Sequence, residues 1–529
     1  MPTLTINGQS LQVADGTTLL GAARQMGIKI PTLCYRKGYA HVTSCMLCVV
    51  EDLDTGAMRP ACSTVAEKGM NIRTDSEAVH DSRRVALELL LSDHLGDCEG
   101  PCRRACPANM NIPLMIRQIK DGDIAAAVAT VKRDIPFPAI LGRICPAPCE
   151  KACRRKQLDS PLAICRLKQF VGDSDLEQTR LHEPPLAAAS RWRVAIVGGG
   201  PAGLTAAYYL RHFGHECVVF DKNNRLGGGM RTGTDRAVLP ESVLDAEVDT
   251  VLDLGVTVQL GCTIGAGRDV DLEVLVSEYD AVVLTVGKSD QVMAEKLGLT
   301  GGTRGIKVDR QTLQTDRKSV FAGGAAVTPS RLAVRAVADG KRLAVSVNQY
   351  LTDSTVAGVQ KRFDSVSGRL SNEEVREFCN VTDQKERISG DPGGLSPAEA
   401  AAEAERCLHC DCRKPLSCKL RRYATEYDAS QRRYKARERR RYARSGYSEL
   451  VYEPGKCIAC GICVRITEKE REDLGLTFIG RGFDVRVGVP FNESLEAGLK
   501  STADKCVRGC PTGALAYTNT EEISRKLDR

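Results

Sequence analysis

The chain has 529 residues, which is too long for one hydrophobic core and predicts several domains. Its net charge of +7 is modest for this length and does not by itself favour nucleic acid as a partner. The sequence contains no apolar run of about eighteen residues, and it does not begin with a basic-then-apolar signal. We therefore expect a cytoplasmic protein without a membrane span.

The cysteines are the most informative residues. The chain has 23 of them, and cytosolic proteins rarely use cysteines for structural disulfides. Apart from Cys217, Cys262 and Cys379, they fall within residues 34–62, 98–106, 145–165, 407–418 and 457–510. Grouped thiolates in a chain that also carries a glycine-rich dinucleotide pattern favour iron–sulfur clusters over zinc.

Residues 1–78 begin with two short alternating segments joined by Asn7 and Gly8, which predicts a hairpin, and a helix is expected over residues 19–26. Four cysteines follow with C-x10-C-x2-C-x13-C spacing: Cys34, Cys45, Cys48 and Cys62. Two neighbouring thiolates plus two distant ones favour a [2Fe–2S] cluster, with a structural zinc site as the alternative. The pattern resembles the N-terminal ferredoxin domain of the large complex I iron–sulfur subunit and of iron-only hydrogenases, which implies a β-grasp fold.

Residues 79–185 are predicted to be helical. A helix over residues 78–92 precedes a short cysteine run, and apolar spacing predicts further helices over residues 110–140. The segment GRICPAPCEKAC, at residues 142–153, resembles the small subunit of NADPH-dependent glutamate synthase and the N-terminal domain of dihydropyrimidine dehydrogenase. In that family two [4Fe–4S] clusters take ligands from both cysteine groups.

Carried over residue by residue, the resemblance implies one cluster on Cys106, Cys145 and Cys149 and a second on Cys98, Cys102 and Cys153. The family's fourth ligand to the first cluster falls near Lys168, which is cationic and cannot bind iron. Cys165 lies one helical turn earlier on the same face, so we assign it as that ligand. His94 lies one turn before Cys98, and a similar H-x3-C start in complex I contains a histidine ligand. We therefore take His94 as a ligand of the second cluster, with a histidine that caps the preceding helix as the alternative.

Residues 186–352 carry a dinucleotide-binding pattern. A buried strand over residues 194–197 is followed by Gly198, Gly200 and Gly203 in G-x-G-x-x-G spacing and then by a helix. The helix N-terminus would face a pyrophosphate. A second strand ends at Asp221, whose carboxylate can accept hydrogen bonds from a ribose.

The dinucleotide is expected to be FAD by resemblance. The segment from Asp221 to Gly229 resembles the E-x5-G-G segment of FAD-binding flavoproteins, and the likeness continues to the glycines after two later strands. The implied FAD contacts include Lys222, Arg225, Gly228, Gly287 and Gly324. Two departures stand out: residues 288–319 are too few for the family's NADPH-binding lobe, and Ala325 replaces an aspartate of the family.

Residues 353–450 are predicted to be a mostly helical, charged linker with a four-cysteine site. Its members are Cys407, Cys410, Cys412 and Cys418, and their spacing leaves both a [4Fe–4S] cluster and zinc open. Residues 419–444 hold eleven Lys and Arg against three acidic residues, with tyrosines interleaved. A nucleic-acid surface is one interpretation, but we favour a solvated helix face or a cradle for an acidic partner subunit.

Residues 451–529 form a ferredoxin-like pattern with missing positions. Thr467 stands where a bacterial two-cluster ferredoxin has the last cysteine of its first run, and Cys506 is left over as a structural residue. One [4Fe–4S] ligand set remains: Cys457, Cys460, Cys463 and Cys510. The segment over residues 479–495 resembles the ferredoxin-like region of some formate dehydrogenase and hydrogenase catalytic subunits.

The predicted fold class is multidomain α+β and α/β: a β-grasp [2Fe–2S] domain, a helical two-[4Fe–4S] domain, a Rossmann-like FAD domain and a ferredoxin-like domain. No acid–base or nucleophile pattern for a substrate is visible, so no catalytic residue is assigned. We expect an oxidoreductase subunit that passes electrons through FAD, one [2Fe–2S] and three [4Fe–4S] clusters, or four if the Cys407–Cys418 site holds iron. Its expected partners are an NADH-binding flavoprotein, a hydrogenase- or formate dehydrogenase-type subunit, or ferredoxin, and no nucleic acid.

Three alternatives stay open from the sequence. Flavin-based electron bifurcation is one use that such a subunit could serve. A reductase that itself oxidises NAD(P)H, as the glutamate synthase small subunit does, is the second. A non-enzymatic scaffold with decayed centres is the third, because fold alone does not fix function.

Overall fold

The computed structural model describes residues 1–40, 42–178, 181–182, 184–265, 267–353, 355–379, 385–390, 393–434, 441–446 and 449–518. The chain divides into two compact units. Unit 1 contains Met1–Glu99, Lys361–Thr382 and Cys410–Arg529, and unit 2 contains Gly100–Gln360 and Asp383–His409. None of the described helices is both long and apolar enough to cross a membrane.

The strands, in chain order, are β1 Thr3–Ile6, β2 Gln9–Gln12, β3 Val49–Asp52, β4 Ala57–Pro60, β5 Asn71–Arg73, β6 Arg193–Val197, β7 Glu216–Asp221, β8 Thr257–Leu260, β9 Ala281–Leu284, β10 Gly301–Gly302, β11 Gly305–Ile306, β12 Val320–Ala322, β13 Leu450–Tyr452, β14 Thr477–Ile479, β15 Arg486–Gly488 and β16 Leu515–Tyr517.

The α-helices are α1 Leu19–Gln25, α2 Glu77–Ser92, α3 Pro101–Ala105, α4 Ile112–Lys120, α5 Ile124–Asp134, α6 Pro138–Ile144, α7 Pro148–Lys151, α8 Ile164–Glu177, α9 Pro201–His212, α10 Gly229–Thr232, α11 Glu241–Leu252, α12 Leu272–Glu278, α13 Gln291–Lys296, α14 Ala333–Asp353, α15 Asn372–Arg376, α16 Pro397–Glu405, α17 Lys419–Glu426, α18 Ile462–Glu470, α19 Leu495–Gly498 and α20 Ala503–Gly509. Short 3₁₀ segments are Arg154–Gln157, Gly324–Ala326, Pro454–Lys456, Gly482–Asp484 and Pro490–Asn492.

The N-terminal part of unit 1 is a five-stranded sheet in the order β2-β1-β5-β3-β4 with α1 against it. The predicted hairpin is confirmed: Ile6 pairs with Gln9, and Asn7 and Gly8 have φ of 49° and 81°. Two successive positive φ values are what a two-residue type I′ turn requires, and Asn-Gly meets this at low cost. The sheet and α1 bury alternating apolar residues of β1, so this part has its own core.

The C-terminal part of unit 1 contains two small antiparallel pairs, β13-β16 and β14-β15. Helices α18 and α20 pack on each other. A second core in unit 1 joins this part to α2, to α17 and to the loop around Cys34. Cys34 and Cys45 therefore share a core with the C-terminal candidates, whereas Cys48 and Cys62 lie in the core of the N-terminal sheet.

The helical part of unit 2 is built on close packing of α6 against α8. A Cβ at Gly142 would lie 2.5 Å from Gln169 Cα, and a Cβ at Gly172 would lie 2.3 Å from Ala139 N. Glycine at both positions lets the two backbones approach. Since α6 and α8 carry or flank Cys145 and Cys165, this packing brings those two thiols together.

The Rossmann-like part of unit 2 is a parallel sheet in the order β12-β9-β6-β7-β8. Its strands are nearly continuous apolar runs because helices cover both faces of such a sheet. Residues 288–319 contain α13 and the two-stranded β10-β11 pair. This content agrees with the prediction that the segment is too short for a second Rossmann lobe.

Two expectations about domain organisation differ from the structure. The described part of residues 354–450 contains only α15, α16 and α17 as α-helices, so the predicted mostly helical linker is wrong; Gly393, Gly394 and Pro415 are examples of residues there that favour loops. The compact units also divide the predicted 79–185 domain at Glu99 and Gly100. Residues 435–440 of the basic stretch and the predicted domain end at 519–529 lie outside the described residues.

Replacing Gly340 with alanine should destabilise the Rossmann-like part. A Cβ there would lie 2.4 Å from Ala202 O and 2.7 Å from Thr205 Cβ, so α14 and α9 would have to separate. We expect a loss of ~1–3 kcal/mol in the free energy of unfolding, as for other overpacked sites. Thermal unfolding measures the change. Gly229→Ala is the matched control, because a Cβ at Gly229 meets no atom within 4 Å, and an equal loss in both variants would contradict the argument.

Glu247 should make the stability of unit 2 depend on pH. Its buried carboxylate accepts hydrogen bonds from the amides of Ala139 (2.6 Å) and Ile140 (2.8 Å), which joins α11 to the start of α6. Burial raises the pKa of Glu247 to about 8, against the lowering effect of those two amides. The pKa is higher in the folded chain, so this contribution to stability is full below about pH 4.5 and is lost as the pH rises to about 8.

The matching measurement is the thermal unfolding midpoint of Glu247→Gln and of the unchanged chain between pH 5 and pH 8. We expect similar midpoints near pH 5, where a protonated glutamate resembles glutamine. Toward pH 8 the midpoint of the unchanged chain should fall more than that of the variant. Parallel curves would show that Glu247 stays ionised when folded.

Candidate functional site

Four thiols of unit 1 form two pairs; Cys34, Cys45, Cys48 and Cys62 are called the N-terminal thiol set. A hydrogen bond from the Cys45 thiol lowers the pKa of Cys34 to about 5, and the same bond raises the pKa of Cys45. Cys48 and Cys62 are hydrogen-bonded in the same way, which raises the pKa of Cys48. All four side chains are buried. Two pairs of adjacent thiols suit the two irons of a [2Fe–2S] cluster.

A second set of thiols lies in the C-terminal part of unit 1: Cys457, Cys460, Cys463 and Cys510, the C-terminal thiol set. Burial raises the pKa of Cys463, and the charges of Cys510, Cys460 and Cys457 raise it further. The four thiols line a cavity of about 690 Å³ that is otherwise mostly apolar. Cys506 is outside this set and donates its thiol hydrogen to Cys463 O at 3.7 Å, as expected for a structural residue.

The two sets are neighbours within unit 1. Burial and Cys510 raise the pKa of Cys460, and the charge of Cys34 adds a smaller increase. Cys34, Cys45 and Cys460 also belong to one apolar core. The fold thus brings together two distant segments of the chain, residues 34–62 and 457–510. The spacing of the cysteines alone did not predict this proximity.

A third set surrounds a lysine in unit 2: Cys106, Cys145, Cys149 and Cys165, the Lys168 thiol set. Lys168 is buried, and burial opposes its charge, but Cys165, Cys145, Cys149 and Cys106 raise its pKa above the usual value. Its Nζ lies 3.9 Å from Cys165 Sγ. Cys145 and Cys165 are hydrogen-bonded, and Cys165 also contacts Cys149. These are the four thiols that the sequence assigned to one cluster.

The thiol of Cys98 has different neighbours from those predicted. Burial raises the pKa of Cys98 to about 12, with a further contribution from Cys412 and a smaller one from Cys418. The prediction joined Cys98 to Cys102 and Cys153, which both belong to unit 2. Of the predicted Cys407–Cys418 group, Cys407 belongs to unit 2 and the other three members to unit 1. The grouping of Cys98 with Cys102 and Cys153 was implied by the family resemblance, whereas that of Cys407 to Cys418 rested on close spacing; both stay predictions.

The remaining predicted ligands have these surroundings. Cys102, Cys153 and Cys407 pack against the same core of unit 2. Burial raises the pKa of Cys153, and the Arg155 and Arg406 guanidinium groups oppose this. Cys410 lies near Tyr442, whose pKa is raised by burial, by Glu453 and, more weakly, by Cys410.

His94 is half-buried, and its charged neighbours are Lys456, Glu453 and Asp97. Burial lowers its pKa to about 4, and Lys456 lowers it further. Its Nδ1 is buried without a hydrogen-bond partner. Among the described residues, no three His, Cys, Asp or Glu side chains converge on a point where one metal ion would sit.

The glycine-rich loop after β6 has the shape that a pyrophosphate requires. Gly198 has φ of 105°, and a Cβ on Gly203 would lie 1.9 Å from Gly198 O. Helix α9 begins after Gly200 without a side-chain cap on its first turn. Gly228 approaches from the opposite side, where an added Cβ would lie 2.9 Å from Gly200 Cα. Amide groups at a helix N-terminus, approached closely on a glycine backbone, form an anion site.

Two of the charged residues at and after the end of β7, Asp221 and Arg225, already form hydrogen bonds or ion pairs within the chain. Asp221 accepts hydrogen bonds from the amides of Gly199 (2.7 Å) and Asn223 (2.8 Å) and so fixes the loop. Arg225 pairs with Glu241 and with Asp245, the latter at 2.7 Å. Lys222 is exposed. The structure therefore favours Asp221 as a loop-fixing residue and gives Arg225 an ion-pair role beyond the predicted cofactor contact.

The last two predicted glycines lie where backbone freedom is needed. Gly287 and Gly324 have φ of 83° and 64°. The Gly324 amide donates to Asp339 Oδ2 at 3.2 Å, and burial raises the pKa of Asp339. Sequence reasoning noted that Ala325 replaces an aspartate and missed Asp339, which helix α14 brings to the same loop. No local pattern around Asp339 signalled this contact, because it depends on which loop α14 packs against.

Three family models match the chain. A 2Fe-2S iron–sulfur cluster binding domain matches residues 1–77, and domain II of dihydropyrimidine dehydrogenase, with a 4Fe-4S cluster, matches residues 74–180. An NAD(P)-binding Rossmann-like domain matches residues 196–259. The predicted [2Fe–2S], [4Fe–4S] and Rossmann-like domains are thereby confirmed. The last model describes NAD(P) binding, whereas the sequence predicted FAD.

Curated relatives cover parts of the chain. A homolog of the NAD-dependent dihydropyrimidine dehydrogenase subunit PreT from Salmonella typhi is 35% identical over 193 residues, covering 36% of this chain and 46% of that protein. The NADP(+)-dependent formate dehydrogenase subunit beta of Moorella thermoacetica is 34% identical over 242 residues, covering 41% and 34%. The NADH glutamate synthase of Schizosaccharomyces pombe is 37% identical over 153 residues, covering 29% and 7%. The chain spans less than half the length of each, and these relatives are oxidoreductases or subunits of them.

Proposed function

We propose that this chain is an electron-transfer subunit of a multisubunit oxidoreductase, with FAD and iron–sulfur clusters as its redox groups. The observation that carries the proposal is the adjacency of Cys34 and Cys460, because it joins two separate thiol sets within one core. Clusters bound to these two neighbouring sets would exchange single electrons. FAD, when bound, would accept two electrons at once and release them one at a time. The partners are expected to be other oxidoreductase subunits.

The thiol sets suit the groups assigned to them. The N-terminal thiol set offers two pairs of sulfurs, as a [2Fe–2S] cluster needs, and the C-terminal and Lys168 thiol sets each offer four thiols around one volume. A single zinc ion would draw four sulfurs to ~2.3 Å from one point. The pairing of the N-terminal thiols, and the cavity beside the C-terminal thiol set, favour clusters over zinc at these two sets.

FAD is proposed for the Rossmann-like part on the resemblance of residues 221–229 to FAD-binding flavoproteins. The chain's own contribution is to hold the pyrophosphate on the loop from Gly198 to Gly203 and to keep that loop fixed through Asp221. The segment over residues 288–319 holds one short helix and a hairpin, so we assign no separate hydride-donor lobe to it. Electrons then enter and leave through partner subunits.

Anaerobic purification followed by quantification of iron, acid-labile sulfide and released dinucleotide tests this proposal. We expect about ten or more irons per chain from one [2Fe–2S] and at least two [4Fe–4S] clusters, and FAD as the released dinucleotide. A colourless protein with little iron or flavin would favour the scaffold alternative and overturn the proposal. Reduction of the flavin should be followed by reduction of the clusters, seen as new EPR signals.

The second candidate is a reductase that oxidises NAD(P)H by itself. It is favoured by the NAD(P)-binding family model over residues 196–259. Steady-state NADPH and NADH oxidation by the isolated chain, with an artificial electron acceptor, separates the two. Clear turnover would support the reductase, and no turnover by a protein that contains FAD and iron would support the electron-transfer subunit.

A further inference from the structure

We propose a further [4Fe–4S] cluster within unit 1, held by four ligands: His94, Cys98, Cys412 and Cys418. This grouping takes Cys98 and His94 away from the predicted site with Cys102 and Cys153. It also separates Cys412 and Cys418 from Cys407. The proposal deepens the proposed function by adding one cluster to the electron path.

The first step is the contact between the two stretches of chain that supply the thiols. The Cys412 amide donates a hydrogen bond to the Cys98 carbonyl at 3.3 Å. The Arg421 guanidinium pairs with Glu99, next to Cys98, at 2.8 Å, and the Arg421 amide donates to Cys418 Sγ at 3.4 Å. The three thiols, Cys98, Cys412 and Cys418, are all buried. Backbone and side-chain bonds thus fix residues 98, 412 and 418 as one local structure.

The second step is the environment of the sulfurs. Each accepts a hydrogen bond from a backbone amide: Cys98 from Ser365 at 3.4 Å, Cys412 from Lys414 at 3.5 Å and Cys418 from Arg421 at 3.4 Å. Hydrogen bonds to sulfur are among the features by which proteins tune iron–sulfur clusters. A buried thiol needs no such donor, whereas a buried thiolate bound to iron gains from it.

The third step is the close backbone at Gly513. A Cβ there would lie 2.3 Å from Cys412 Sγ, so any other residue would displace the sulfur. Gly513 follows the last cysteine of the C-terminal thiol set by three residues. The charge of Cys510, in that set, also contributes to raising the pKa of Cys418 to about 12, after burial and Cys412. The proposed site therefore adjoins the C-terminal thiol set.

The fourth step assigns the fourth ligand to His94 rather than to Cys410. The buried Nδ1 of His94 lacks a hydrogen-bond partner, which is costly unless a group outside the polypeptide satisfies it. The His94 segment is held against the same part of unit 1, since the Leu95 amide donates a hydrogen bond to the Gly455 carbonyl at 2.7 Å. Cys410 instead lies near Tyr442 and contributes weakly to raising the pKa of that tyrosine.

The ligand set and its surroundings predict a comparatively high reduction potential. A neutral imidazole in place of a thiolate removes one negative charge from the cluster. Lys456 and Arg421 lie nearby but are each paired with a carboxylate, Glu453 and Glu99, so the imidazole alone carries this expectation. A cluster bound here would then accept electrons readily from a cluster bound to the neighbouring C-terminal thiol set.

Iron content of single and double variants tests the grouping. Cys98→Ala and Cys412→Ala should each lose about four irons, and the double variant should lose no more than either alone. Cys98→Ala combined with Cys149→Ala should lose about eight. A loss of about eight from Cys98→Ala with Cys412→Ala would overturn the grouping. Cys506→Ala is the matched control in unit 1, and the retained [2Fe–2S] EPR signal reports that unit 1 is folded.

Pulsed EPR tests the histidine. The reduced cluster of the unchanged chain should show a ¹⁴N hyperfine coupling that disappears in His94→Cys, while the iron content stays. Persistence of the coupling in His94→Cys, or loss of the cluster in Cys410→Ala, would overturn the assignment of His94. Neither measurement depends on turnover or on FAD, so the site can be established even if the proposed electron-transfer function fails.

Discussion

Replacing Cys460 with alanine is expected to remove about four irons per chain and to leave the [2Fe–2S] cluster in place. Cys460 is buried among Cys457, Cys463 and Cys510, and a three-thiol remnant there would hold a cluster poorly. The neighbouring N-terminal thiol set keeps both of its pairs. Iron and sulfide analysis gives the loss, and the EPR signal of the reduced [2Fe–2S] cluster should retain its intensity.

The same variant tests the adjacency of the two sets. In the fully reduced protein, two nearby paramagnetic clusters split or broaden each other's EPR signals, and this effect should vanish from the [2Fe–2S] signal in Cys460→Ala. Cys506→Ala is the control, because Cys506 is buried in the same part of unit 1 but only donates to Cys463 O. If Cys506→Ala loses the irons and Cys460→Ala keeps them, the ligand assignment is wrong.

Replacing Lys168 with methionine is expected to lower the midpoint potential of the cluster on the Lys168 thiol set by on the order of 100 mV. Methionine keeps the length of the buried side chain and removes its charge. One unit charge at roughly 6 Å and an effective dielectric constant of about 20 is worth about 3 kcal/mol, or about 120 mV for one electron. Potentiometric titration followed by EPR measures the change.

Two control variants show whether a change in the midpoint potential comes from the charge of Lys168. Lys168→Arg keeps a charge beside Cys165 and should keep most of the potential. Arg166 lies on the same helix, where its guanidinium donates a hydrogen bond to Gln169. The control variant Arg166→Met should therefore leave the midpoint potential unchanged. An unchanged potential in Lys168→Met with full iron content would mean that the ammonium is screened from the cluster. Loss of the iron would mean instead that Lys168 is needed to build the site.

Local pattern sufficed where ligands and structure lie within one stretch of chain. The Asn7–Gly8 hairpin and the loop from Gly198 to Gly203 follow from turn chemistry and spacing, and the grouping of Cys145 with Cys149 was implied by the family resemblance. The placement of Cys165 beside Lys168 followed from one helical turn. These are short-range features, so the sequence alone could predict them.

Long-range proximity could not be predicted in this way. The family resemblance grouped Cys98 with Cys102 and Cys153, whereas the fold brings Cys412 to it from more than 300 residues away. Asp339 and Glu247 were missed because an acid within a helix looks like an ordinary surface residue, and α11 carries three other acids besides Glu247. Their roles depend on which helix end or loop packs opposite them, and one sequence carries no record of that.

The discontinuous composition of unit 1 bears on how the protein is made. Its first segment ends at Glu99, and the segment that completes it begins at Cys410, after nearly the whole of unit 2. A nascent chain leaves the ribosome from its N-terminus, and domains generally fold as units in that order. Unit 2 can therefore fold while Cys98 still awaits its neighbours, and iron and sulfide can be delivered to the Cys98 site only after the segment that begins at Cys410 has been synthesised.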